Sequence, residues 1–100
     1  MQFRYSRHSL ERQVLRELPP GMAEVVFSQA DNHYYDSLTR ALVAVKRMLF
    51  QGVERDVALT YLWNVEQEII CITIHPLKDG QKERRVQNER WTPYESESAL

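Results

Sequence analysis

The run Ile69-Ile70-Cys71-Ile72-Thr73-Ile74-His75-Pro76 constrains this chain more than any other stretch. Its β-branched side chains are stiff and pack well on a pleated surface, so the run reads as a buried strand. Proline has no N–H to give to a ladder, which ends the strand at Pro76. His75 therefore stands at the mouth of a sheet, where a ring that titrates near neutrality can meet a ligand.

The neighbouring segments supply partners for that strand. Asp56 to Trp63 is aromatic and β-branched, and alternation puts Val57, Leu59, Tyr61 and Trp63 on one face. Asn64 is a turn residue, and His33-Tyr34-Tyr35-Asp36 reads as another strand. Residues 38–50 fit two patterns: Leu38, Leu42, Val45 and Leu49 recur at helical spacing, whereas Val43-Ala44-Val45 ahead of Gln51-Gly52 fits a strand entering a turn. The strands downstream favour the second.

Upstream, Phe3-Arg4-Tyr5 forms a short first strand. Ser6 caps a helix, with Tyr5 and Leu10 as a hydrophobic staple and Leu10, Val14 and Leu18 as one apolar stripe. Pro19-Pro20 stops it, and Pro20 opens a second helix with Met22, Val25 and Val26 inward. Asp79 caps a short C-terminal helix carrying Arg84, Arg85 and Val86, and from Thr92 onward Pro, Ser and Glu predict a flexible tail. The expected fold class is α+β: two N-terminal helices packed on a small twisted antiparallel sheet, then a short C-terminal helix, in one domain over residues 1–91.

One hundred residues suffice for a single modest core. The longest apolar runs fall far short of the ~20 residues that span a bilayer, and Met1-Gln2-Phe3-Arg4-Tyr5 lacks the apolar segment of a secretory signal. The lone Cys71 reads as a small core residue. These features predict a cytoplasmic protein with no membrane partner. A net charge of -1 sets up no global basic field. The charges are nevertheless unevenly placed. Arg4, Arg7, Arg12 and Arg16 face Glu11 and Glu17, while Lys78, Lys82, Arg84, Arg85 and Arg90 are diluted by Asp79, Glu83 and Glu89. The two ends make a basic patch if they meet in space.

Several chemistries lack their residues. Three scattered glycines, Gly21, Gly52 and Gly80, make no phosphate loop, and there is no G-x-S-x-G elbow. The histidines are His8, His33 and His75, with no CxxC or HExxH spacing. Neither a cofactor nor a metal is predicted.

Ser6-Arg7-His8 is followed by Arg12 and Arg16 at helical spacing. Then come Ala44-Val45-Lys46, Gly52, Ala58-Leu59-Thr60-Tyr61, Ile72-Thr73-Ile74-His75-Pro76, Arg84-Arg85-Val86-Gln87-Asn88 and Arg90-Trp91. This series resembles an uncharacterised domain family grouped with the RelE-like and BrnT-like toxins, over about residues 4–91. The resemblance implies a sheet face and C-terminal segment that hold messenger RNA, cut through attack by its own 2′-hydroxyl, and an antitoxin protein that covers the basic patch. The chain departs from such toxins in its near-neutral charge, which disfavours a grip on ribosomal RNA.

Ribonucleolytic transfer needs a base near the 2′-hydroxyl, a cation on the phosphate oxygens and an acid for the leaving oxygen. His75 and His8 are the candidate catalytic groups, since imidazole titrates near pH ~6.5. Arg12, Arg16, Arg84 and Arg85 are the candidate RNA-phosphate ligands, because the guanidinium fork gives two parallel hydrogen bonds. Tyr61 is the candidate for stacking a base. The competing expectation is a non-catalytic protein-interaction domain, in which His8, Arg12 and His75 form a hydrogen-bond network joining the first helix to the sheet. A homodimer through an edge strand at residues 33–37 is a third, with Asp36 and His33 opposing the pairing.

Overall fold

The alternation read in residues 56–63 belongs to β4 (Val53–Trp63), from which the sheet extends on both sides. The structure is a computed structural model that describes residues 2–5, 21–64, 66 and 68–94. In chain order the remaining elements are β1 (Gln2–Tyr5), α1 (Met22–Ser28), β2 (Asn32–Asp36), β3 (Ala41–Phe50), β5 (Glu68–Pro76), α2 (Gln81–Gln87) and β6 (Trp91–Pro93). The strands form one sheet in the order β1-β5-β4-β3-β2-β6.

β2 to β5 make a continuous antiparallel meander. The β3–β4 turn is built on Gln51 and Gly52, both at positive φ (53° and 81°), as a tight hairpin between right-twisted strands requires. Residues 38–50 thus take the strand alternative from Ala41 onward, after a turn that closes on Arg40 at φ 62°.

The expected arrangement of two N-terminal helices on a small antiparallel sheet is overturned. The body of the molecule is a six-stranded mixed sheet, and each described helix has seven residues, one before β2 and one after β5. At the flanks the strand expected at Phe3–Tyr5 is present as β1, but neither its pairing nor β6 was expected. β1 lies parallel to β5, with Phe3 opposite Ile69, and β6 pairs antiparallel with β2, with Trp91 opposite Asp36. A strand of three residues, such as β6, carries too few side chains to display a period. The helix expected after Ser6 lies outside the described residues.

Three smaller corrections follow. Residues 33–37 are no sheet edge, because β2 is hydrogen-bonded on both sides, by β3 and β6, and its backbone is not open to a second copy. Thr92 and Pro93, expected in a tail, belong to β6, while residues 95–100 lie outside the described set. Asp79 does not cap α2; Gly80, in the left-handed region, holds the N-cap position, and the Gln81 side chain instead accepts a hydrogen bond from the Lys78 amide.

The sheet is covered on both faces, and each has its own core. The first face packs against α1, which buries Met22, Ala23, Val26 and Phe27 on Ala44, Leu59, Tyr61, Ile69, Cys71 and Ile74. Val25, expected inward, faces outward on α1. Phe27 is the centre of this core, with Phe3, His33, Tyr61 and Trp63 all meeting its ring edge to face at centroid distances of 5.1–6.1 Å. The second face buries Tyr34, Val43, Val45, Ala58, Leu77 and Trp91, with Val86 of α2 against them. Among the described residues no helix is long and apolar enough to cross a membrane.

Candidate functional site

An irregularity in β5 decides which side chains reach the second face. Thr60 is opposite Thr73, but the next residue of β4, Tyr61, is opposite Cys71. Ile72 is therefore the extra residue of a β-bulge. Strict alternation would put Cys71, Thr73 and His75 on one face. The bulge breaks it: Cys71 turns into the α1 core, while Thr73 and His75 stay on the α2 side. The bulge thus separates Cys71 from His75, which strict alternation along the strand would leave on one face.

On that side lies a cleft of about 420 Å³. Its floor is Thr60, Leu62, Ile72, Thr73 and His75, and its walls are Asp36, Thr39, Ala41, Arg85, Arg90 and Trp91. The volume falls in the ~300–1,000 Å³ range of small-molecule sites. A second hollow, of about 540 Å³ at the β3–β4 turn, sets Arg47, Arg55 and Lys78 against Glu54 and Asp79. Its charges largely offset one another, and none of the candidate catalytic, phosphate-binding or base-stacking residues lines it.

The two arginines of the cleft differ in their electrostatics. Arg90 is committed to Asp36: Nε donates to Oδ1 at 3.0 Å and a terminal nitrogen to Oδ2 at 3.1 Å, a bidentate fork. Asp36 also accepts from Trp91 Nε1 at 3.1 Å and from the amides of Leu38 and Thr39 at 2.9 and 3.4 Å. Burial alone pushes this carboxyl up. The Arg90 and Trp91 hydrogen bonds, with the two amides, outweigh it and hold the pKa at about 2. The Asp36–Arg90 pair is thus internally neutral.

Arg85 is placed differently. Among the described residues it has no carboxylate within ion-pair distance, and its guanidinium lies over the Trp91 ring, 5.1 Å from the centroid. Trp91 is itself fixed, 2% exposed and stacked on Tyr34 at 5.4 Å with 24° between planes. Burial, together with the charges of Arg90 and Arg84, lowers the Arg85 pKa although Asp36 opposes them. The residue remains a cation at neutral pH. An anion entering the cleft meets this charge.

The candidate residues read from the sequence separate accordingly. His75 and Arg85, from the end of β5 and from α2, line the same cleft. Arg84 is exposed one residue away and is not among the lining residues. Tyr61 is 0% exposed, its ring against Phe27 and its hydroxyl 2.8 Å from His33 Nδ1. Its aromatic surface belongs to the first-face core. His8, Arg12 and Arg16 lie outside the described residues, so of the expected His8–Arg12–His75 network only His75 is seen. Among the described residues there is no cluster of three or more potential metal ligands. Sequence reasoning missed Asp36, Arg90, Trp91, Thr60 and Thr73. Arg90-Trp91 had been singled out as a string, but nothing local says that it pairs with Asp36, more than fifty residues away.

His33 gives the first face a pH response. Burial lowers its pKa, against a hydrogen bond to the Phe27 carbonyl that raises it. A histidine whose folded pKa is depressed binds fewer protons than the same residue unfolded. Its contribution is therefore intact above the unfolded value near pH ~6.5 and is lost as pH falls below that value. Urea titrations from pH 8 to 5 should show this loss. His33→Gln, which keeps an acceptor for Tyr61, should flatten the curve below pH ~6.5; an unchanged slope would assign the response to other groups.

Comparison with protein-family models, with curated proteins and with solved structures finds no match to this chain. The RelE-like resemblance rests on the short strings quoted above.

Proposed function

We propose that this domain binds single-stranded RNA, holding a backbone phosphate on Arg85 in the second-face cleft. The observation that carries this reading is the pairing of a histidine with a cation that has no carboxylate partner among the described residues, in a single cleft beside a second arginine already neutralised by Asp36. A guanidinium placed over an indole can still turn N–H groups toward phosphate oxygens, and ordering it on the ring in advance reduces the entropic cost of binding. A local site of this kind does not need a basic protein, which agrees with the net charge of -1.

The reading extends to strand cleavage through His75. In that step the imidazole takes the 2′-hydroxyl proton, the 2′-oxygen bonds to phosphorus, and the bond to the 5′-oxygen breaks as that oxygen takes a proton from water. Arg85 would stabilise the charge gathering on the non-bridging oxygens.

Anisotropy of a labelled oligouridine tests the binding reading. Arg85→Ala should weaken binding ~10- to 100-fold, the worth of a lost charge-assisted pair of hydrogen bonds. Arg84→Ala, on the exposed side of the same helix, should change it less than ~3-fold, as for a screened surface charge. Equal losses from both variants, or no binding by the wild type, would remove the cleft as the site. Fragments ending in a 2′,3′-cyclic phosphate, absent with His75→Ala, would establish cleavage.

A further inference from the structure

We infer that the cleft reads the ribose of one nucleotide, and so distinguishes RNA from DNA, through the side-by-side hydroxyls of Thr60 and Thr73. The inference rests on the RNA reading above and adds the group that is recognised. Thr60 and Thr73 are direct cross-strand partners on β4 and β5. Both are half-buried and both line the cleft. Opposed strand residues carry their Cβ atoms ~4.5–5.5 Å apart, close enough for one sugar to touch both.

Neither hydroxyl has a hydrogen-bond partner among the described residues. Threonines at such positions commonly bond across the strands; here both hydroxyls are instead left to the cleft, open to a ligand. Two such groups side by side make a polar spot on a floor that Leu62 and Ile72 otherwise make apolar. A ribose 2′-hydroxyl is itself donor and acceptor, so it can satisfy both at once, which deoxyribose cannot.

The surroundings fit one nucleotide. Leu62, 39% exposed, continues the floor two residues beyond Thr60, and Ile72 adjoins Thr73 in the bulge. Together they give an apolar shelf for the flat face of a base. Arg85 on Trp91 forms the wall that takes the phosphate. Phosphate, sugar and base thus each meet a surface of matching chemistry. The bulge at Ile72 is what keeps Thr73 and His75 on this face.

The probes are fluorescein-labelled octauridine and its deoxyuridine counterpart, which differ only at the 2′ position. The wild type should bind the RNA ~10-fold more tightly, the worth of one or two neutral hydrogen bonds. The double variant Thr60→Val with Thr73→Val should bring the two affinities together while leaving deoxyuridine binding within ~2-fold, which also shows that it is folded. Thr60→Ser with Thr73→Ser retains both hydroxyls and should keep the preference. Equal wild-type affinities, with Arg85→Ala weakening both probes, would overturn ribose reading but leave the phosphate site standing. A preference that survives the valine variant would overturn it by placing the discrimination elsewhere. No binding of either probe would take down the RNA reading and this inference with it.

Discussion

Asp36→Ala should lower the free energy of unfolding by about 3–5 kcal/mol, the usual cost of removing one partner of a buried ion pair. The carboxylate is 3% exposed and satisfies five donors: two on Arg90, the Trp91 indole N–H, and the Leu38 and Thr39 amides. Alanine leaves those donors without their acceptor and strips Arg90 of its counter-charge. It also loosens β2 where β6 pairs with it, since Asp36 is opposite Trp91. The acid limb of the stability curve supplies an independent check. A carboxyl held at about 2 in the fold, against an ordinary 3.8, contributes stability that is complete above the unfolded value and is lost as pH falls from there toward 2. The shift corresponds to about 2 kcal/mol. Urea titrations of the wild type between pH 5 and 2 should show this loss, and Asp36→Ala should lack it. A variant that unfolds at the wild-type urea concentration would show that the network contributes little to the fold.

The sequence was most readable where strands are long. Ile69 to Pro76 and Val57 to Trp63 carry enough alternating or β-branched residues to declare a strand, and both lie in the middle of the sheet. Gln51-Gly52 marked the hairpin correctly because a two-residue turn at positive φ admits few residue types. At the edges, Phe3–Tyr5 was legible as a strand but its pairing was not, and β6 escaped for want of length. Trp91-Thr92-Pro93 resembles the start of a disordered tail, since proline ends ladders, yet at a sheet edge the missing N–H can face solvent. Nothing local announces that Phe3 lies beside Ile69, a pairing that depends on the whole chain.

The cleft was half legible. His75 and Arg85 stand out by residue type and by position after a strand and on a helix. That they meet depends on two non-local events: the bulge at Ile72 and the packing of α2 over the second face. Arg90 illustrates the opposite problem. By composition it is one more basic residue, and only the fold shows that Asp36 has taken its charge. Counting arginines overstates the positive potential of this face; among the described residues Arg85 is the cleft cation that no carboxylate neutralises.

Trp91 separates the stability of this face from its chemistry. Trp91→Ala should cost about 3–5 kcal/mol, as for a large aromatic removed from a core. It should also abolish the binding that depends on Arg85, because the guanidinium loses the ring it lies on. Trp91→Phe keeps a ring for Tyr34 and Arg85 but deletes the N–H that Asp36 accepts. The lost hydrogen bond costs about 1 kcal/mol, and the smaller ring adds to that. Because Phe keeps the cation over an aromatic face, oligouridine affinity should stay within ~5-fold of wild type, consistent with the modest worth of the exchanged ring. Combining Trp91→Ala with Asp36→Ala gives a decisive comparison, since both act on one network. Their joint cost should fall short of the sum by ~1–3 kcal/mol, the coupling expected of residues that share a hydrogen bond. Circular dichroism is the suitable readout, because the variants remove a tryptophan that would report by fluorescence. Strict additivity would mean that the indole N–H contributes nothing to holding Asp36, and that Trp91 matters to the cleft through its ring alone.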